Sequence, residues 1–180
     1  TGRLSAPTLA AVAPNPTFLA IIPGKKRLYA VNEIRQGANR KDGSVAAFNI
    51  DPHSGRLASL NRQSARGTGP CHLSPDETGR WILAANYVSG SIAVLSVKKN
   101  GSLGPASCVI RHGINSHAHF IMPAPGNRFV LVCDLGLDKV FVYRFEAANG
   151  RLTPHQPSGL KLKAGSGPRH FIFAPSGRRV

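Results

Sequence analysis

Polar and ionisable residues recur in this 180-residue chain at matching points of successive apolar runs. His72, His119 and His170 each open such a run, and Glu33, Asn86 and Asp134 each close a second one. Arg169 precedes His170, His117 lies just ahead of His119, and Asp138 follows Asp134 across a glycine. These residue types suit the attack of water on an activated carbonyl. Glu33 or Asp134 can serve as the base, with His119 or His170 as acid or base partner near neutral pH. The Arg169 guanidinium is a planar, permanently charged fork suited to a carboxylate, a phosphate or a developing oxyanion. Such a reaction does not inherently need a metal.

Each candidate also has a structural reading. His72, after Pro70-Cys71, can cap its strand, and Asn86 can make turn bonds to the backbone. Asp134 and Asp138 flank a glycine and can be turn formers, while Arg169 and His170 can register neighbouring repeats. Glu33 can pair at the surface with Arg35, which would add little stability. His117 can be exposed or can assist His119. His72, His119 and Asp134 lack the close spacing of a metal-ligand signature, so no metal and no cofactor are expected. The three cysteines, Cys71, Cys108 and Cys133, are odd in number and widely spaced, and read as free structural thiols.

The elements that must position these residues come from an internal repeat. Four segments share an apolar run, a proline-containing turn with a nearby glycine, a basic residue and a second apolar run. They begin at Phe18, His72, His119 and His170, and their turn prolines are Pro23, Pro75, Pro125 and Pro175, in steps of 52, 50 and 50 residues. A third short apolar segment follows in each full unit, at Gly43 to Ile50, Gly90 to Val97 and Asp138 to Phe145. A fourth begins at a Gly-x-Leu signature: Gly55-Arg-Leu57, Gly101-Ser-Leu103 and Gly150-Arg-Leu152, with the same signature already at Gly2-Arg-Leu4.

Four short strands in a unit of about 50 residues are the arithmetic of a β-propeller blade. The predicted fold is all-β, with antiparallel four-stranded blades: residues 14–66, 67–113 and 114–164 as blades, 1–13 as the outer strand of a preceding one and 165–180 as the start of another. That phase predicts an open arc, a partial propeller whose exposed edges would self-associate. In a propeller, loops at one face converge on the axis, so residues distant in sequence can share one site.

Several stretches resemble the seven-bladed β-propeller lactonases, the family that includes bacterial 6-phosphogluconolactonase and the carboxymuconate cyclases. They are Leu28-Tyr-Ala-Val-Asn-Glu33, Ala84-Ala-Asn-Tyr87 with Gly90-Ser91, His117-Ala-His119, Cys133-Asp-Leu-Gly-Leu-Asp138 and Gly165-Ser-Gly-Pro-Arg-His170. They run in family order across the chain, which would supply about half of such a propeller. The segment between Val109 and His117 departs from the pattern, being shorter and lacking an Arg-Gln element. The resemblance implies hydrolysis of a sugar lactone such as 6-phosphogluconolactone. It implies catalytic roles for His119, Asp134, Arg169, His170 and Glu33, and substrate contacts from His72, Asn86, His117 and Asp138. The alternatives are a lactonising cyclase acting on an unsaturated diacid, or a non-catalytic propeller that binds a partner.

Composition agrees with a packed domain of many turns. Hydrophobic residues make up 42% of the chain, with 19 glycines and 14 prolines. No run reaches the length of a membrane span. The formal net charge of +15 comes from Lys and Arg spread along the chain, most of them read as solvated turn residues, and is compatible with an anionic small-molecule substrate; no basic run is interleaved with aromatics, so nucleic acid is not expected as a partner. The full-length protein is expected to be a cytoplasmic monomer.

Overall fold

The computed structural model describes residues 2–22, 24, 26–35 and 43–180. Among them there is no helix; twelve strands form three antiparallel sheets of four. The first sheet holds β1 (Pro16–Ile22), β2 (Arg27–Asn32), β3 (Ser44–Ile50) and β4 (Leu57–Ser64). The second holds β5 (Pro70–Pro75), β6 (Trp81–Asn86), β7 (Ser91–Val97) and β8 (Leu103–Arg111). The third holds β9 (Ala118–Pro123), β10 (Phe129–Asp134), β11 (Lys139–Glu146) and β12 (Arg151–Lys161). Each sheet is a meander in chain order. The first strands β1, β5 and β9 lie side by side along the axis. This is an all-β partial propeller.

The sheets stack face to face because their middle strands are apolar on both faces. In β6, Ile82 and Ala84 point into the core shared with the first sheet, beside Tyr29, Val31 and Leu73. Trp81, Leu83 and Ala85 point into the core shared with the third sheet, beside Ile121, Val130 and Val132. This is the period of two expected of a strand, with both faces buried. Leu83 is fully buried, so truncating it to alanine is expected to cost about 2–5 kcal/mol.

Hydrogen bonds from side chain to backbone lock neighbouring blades along the same pair of elements. The Tyr29 hydroxyl, on β2, donates to the Gly101 carbonyl at 2.8 Å. The Trp81 indole, on β6, donates to the Ala147 carbonyl at 2.8 Å. In each case an aromatic residue on a second strand reaches the turn between the third and fourth strands of the next blade.

The proline turns also repeat. Asp76 N donates to Trp81 O, Ala124 N to Phe129 O and Ala174 N to Arg179 O. The third of these turns forms although residues 162–180 contain no strand. Pro23 lies outside the described residues. Residues 2–13, expected as an outer strand, are also without strand structure. A strand exists only where a ladder partner takes its backbone groups, and neither segment has one here. Instead Ala11 and Ala13 pack on the outer face of the first sheet, against the core of Leu28, Ala30, Ala46 and Phe48.

Candidate active site

At the start of each axial strand the pairing skips one residue. Pro16 faces Asn32 and Phe18 faces Val31, leaving out Thr17. Pro70 faces Asn86 and His72 faces Ala85, leaving out Cys71. Ala118 faces Asp134 and Phe120 faces Cys133, leaving out His119. A bulge re-aims the residue it contains, while its neighbour keeps the ordinary alternation. His119 is therefore equivalent to Cys71, and His72 to Phe120. In sequence, Pro168-Arg169-His170 repeats Pro70-Cys71-His72, which puts Arg169 in the same phase.

Cys71, His119 and Arg169 line one pocket of about 240 Å³ together with Glu33, Arg35 and Tyr87. Glu33 and Tyr87 each follow the last residue of a second strand, Asn32 and Asn86. Consecutive repeats thus contribute side chains to one cavity. Glu33 Oε1 accepts two hydrogen bonds from Arg35, at 3.0 and 2.8 Å, so the pair carries both signs of charge into the pocket wall. The His117 ring stacks on Tyr87 with centroids 4.5 Å apart, and its Nδ1 donates to the Tyr87 carbonyl at 3.0 Å. His119 meets the edge of Tyr87 at 5.9 Å and that of His170 at 5.0 Å.

His119 is buried, and its Nδ1 has no hydrogen-bond partner. Burial, followed by the positive Arg169 and by His170, pushes its pKa down to about 4. The ring is neutral near pH 7. The Cys71 thiol is pushed up to about 12, first by burial and then by Glu33. It is therefore a thiol and not a nucleophilic thiolate at neutral pH.

The structure brings Glu33, His119 and Arg169 together, with His170 and His117 against their neighbours. Four other expected residues lie elsewhere, and each has a physical reason. His72 is buried between Phe18 and Phe120, at centroid distances of 4.2 and 4.0 Å. Its Nδ1 accepts from Ile121 N at 3.3 Å, and burial lowers its pKa to about 3, so it is a neutral core residue joining two blades. Asn86 is fully buried and donates to Ala65 O at 3.0 Å and Ser91 Oγ at 3.1 Å.

Asp134 is fully buried and is not in the pocket. Its carboxylate accepts from His112 Nδ1 at 2.6 Å, from the Ser116 hydroxyl, from His117 N at 2.9 Å and from Leu137 N at 3.1 Å. Burial alone would raise its pKa, but the bonds from His112, Ser116 and His117 outweigh it and hold the carboxyl below its ordinary range. It shapes the loop that delivers His117 and His119. Asp138 does the same for the next loop, accepting from Gly165 N at 2.9 Å and Gly167 N at 2.8 Å just ahead of Arg169.

Arg35, Cys71 and Tyr87 were not expected in the site. The signal for Cys71 is in the sequence, since aligning Pro70 with Pro168 puts it in register with Arg169. Among the described residues, no group of three or more His, Cys, Asp or Glu side chains is arranged to hold a metal ion. No helix among them is long and apolar enough to cross a membrane.

Residues 1–180 match the lactonase family of seven-bladed β-propellers. A Bacillus subtilis (strain 168) protein named 6-phosphogluconolactonase is 37% identical over 180 residues, covering 96% of this chain and 49% of that protein. A Formosa agariphila protein of the same name is 29% identical over 174 residues, covering 91% and 48%. The solved structure of the Pseudomonas aeruginosa periplasmic gluconolactonase PpgL superposes with a TM-score of 0.85 at 34% identity, over 93% of this chain and 50% of that one. The chain spans about half the length of these relatives. With its repeat, its blades and its matched length, the chain belongs to the seven-bladed β-propeller lactonase family.

Proposed function

We propose that the pocket end of this propeller hydrolyses a sugar lactone, with 6-phosphogluconolactone as the first substrate to test and 6-phosphogluconate as the product. The carrying observation is that His119, Arg169, Glu33 and Arg35, drawn from consecutive repeats, meet at one pocket, with a neutral imidazole beside two guanidinium groups.

Neutral His119 takes a proton from water as the water oxygen attacks the lactone carbonyl carbon. The carbonyl π electrons move onto oxygen, and the Arg169 guanidinium stabilises that oxyanion. When the intermediate collapses, the ring C–O bond breaks and its electron pair leaves on the alkoxide. The imidazolium then returns the proton to that oxygen. A histidine held at a low pKa is a modest base but a strong acid once protonated, which suits departure of a poor alkoxide leaving group. Arg35, tethered by Glu33, supplies a cation for the substrate phosphate. A phosphorylated substrate does not cross a membrane unaided, so this reading places the enzyme with it in the cytoplasm. The names of the Bacillus and Formosa relatives support the phosphorylated substrate.

The test is hydrolysis of 6-phosphogluconolactone by the whole protein beside its Arg169→Ala, His119→Ala and His170→Ala variants. Rapid turnover that Arg169→Ala and His119→Ala abolish, with thermal midpoints retained, supports the reading. Turnover no faster than spontaneous hydrolysis, by a folded protein, overturns it.

A further inference from the structure

A second pocket, of about 420 Å³, opens at the opposite end of the blades. Its lining comes from the end of β1 and start of β2 (Ile22, Arg27, Tyr29), the turn between β5 and β6 (Gly79, Arg80) and the end of β7 with the turn after it (Val97, Lys98, Lys99, Gly101). Glu33, Tyr87 and His119 stand at the other ends of these meanders, so the two pockets lie on opposite faces.

Among the described residues, four cations, Arg27, Arg80, Lys98 and Lys99, line this second pocket, and none of the lining residues is acidic. The nearby Asp76 carboxylate is committed to its own turn, accepting from the Thr78 hydroxyl, from the backbone of Arg80 and Trp81, and from Asn127. The cations are carried on a braced scaffold. The Tyr29 hydroxyl holds Gly101 O at 2.8 Å, and Gly101 N donates to Lys98 O at 2.8 Å, closing the turn that presents Lys98 and Lys99. Gly101 has a φ of +89°, and a Cβ there would lie 2.0 Å from Arg27 Nε, so the Arg27 side chain lies directly against this glycine. Arg80 donates to Ala147 O, in the turn between β11 and β12, at 2.7 Å, which anchors its guanidinium. Ile22 and Val97 add apolar surface to the lining.

We propose that this pocket is a binding site for a small phosphate-rich anion, separate from the candidate active site. Its volume lies within the range of small-molecule sites. Clustered like charges on an ordered frame are relieved by a multivalent anion, and guanidinium forks with ammonium groups match phosphate oxygens in geometry and charge. The inference does not depend on the lactonase reading, because it uses none of the same residues.

The probe is inorganic tripolyphosphate, titrated calorimetrically into the whole protein at low ionic strength, where screening is weak. One saturable site per chain is expected, with affinity at least tenfold weaker in the Lys98→Gln/Lys99→Gln double variant and retained in Lys98→Arg/Lys99→Arg. Both double variants should keep the native thermal midpoint and the native rate of lactone hydrolysis. Equal affinity in the glutamine variant overturns the site. So does loss of binding in Arg169→Ala with Lys98 and Lys99 intact, which would seat the anion at the other pocket. Citrate competing as well as tripolyphosphate overturns the phosphate class.

Discussion

The Cys71 thiol donates to the His119 carbonyl at 3.3 Å, and these two residues fill the same bulge in adjacent blades. The bond ties one bulge to the next and holds the backbone that presents His119. Cys71 and His119 turn toward the pocket, and His72 and Phe120, one residue later, turn into the interface between blades. The difference separates His119, with its unpartnered Nδ1, from His72, which is packed between two phenylalanines.

His119→Gln is expected to lower kcat/KM by about 10²–10⁴, the usual contribution of a positioned acid–base group. In the native protein, on the proposed lactonase reading, kcat/KM should be flat through neutral pH and fall as pH drops through about 4, where the imidazole becomes protonated and cannot accept from water. A pH–rate profile of lactone hydrolysis reads this directly. A decline centred near 6.5 would instead assign the essential ionisation to another group.

Arg169→Ala should reduce kcat by about 10²–10³, as expected when one oxyanion partner is removed. Arg169→Lys keeps the charge without the fork and should recover only part of the loss. The measurement is steady-state kinetics on both variants, with binding of product as a control for the pocket.

His72 makes stability pH-dependent. Its folded pKa is lowered to about 3 from an ordinary value of 6.5, so below pH 6.5 the unfolded chain binds a proton that the folded chain refuses. Its contribution is fully present above 6.5 and shrinks by about 1.4 kcal/mol per pH unit as pH falls toward 3. Urea midpoints between pH 7 and 4 should drop less steeply for His72→Phe than for the native protein. Parallel curves would mean that His72 is not the group responsible.

Asp134→Ala is expected to destabilise the fold by about 3–5 kcal/mol, because it strands His112, Ser116 and the His117 amide in the interior. Chemical denaturation gives the loss in stability. Asp134→Asn keeps acceptor capacity on one oxygen and should fall between the two. If Asp134→Asn were fully stable and wholly inactive, a direct role in the chemistry would replace the supporting role seen here.

The blade plan was legible in the sequence because it rests on local chemistry. Turn prolines at constant spacing, short β-branched runs and glycine turns specify strands wherever a neighbouring strand completes the ladder, and Pro75 and Pro125 mark equivalent turns in the structure. That Glu33, His119 and Arg169 converge at one end was legible too, since strand starts and ends of like phase must meet at one end of a propeller. What only the tertiary structure decided is which side chain of each pair faces the cavity. One skipped residue in a ladder exchanges the two faces of a strand, and the skip depends on pairing with a strand elsewhere in the chain. His72 and His119 therefore looked equivalent in sequence and are one position out of phase in space. The same holds for Glu33 and Asp134: Asp134 ends its strand inside the ladder and is enclosed, whereas Glu33 stands one residue past Asn32 and reaches the pocket. Burial and hydrogen-bond partners, which set what each group can do chemically, follow from that packing and not from residue type.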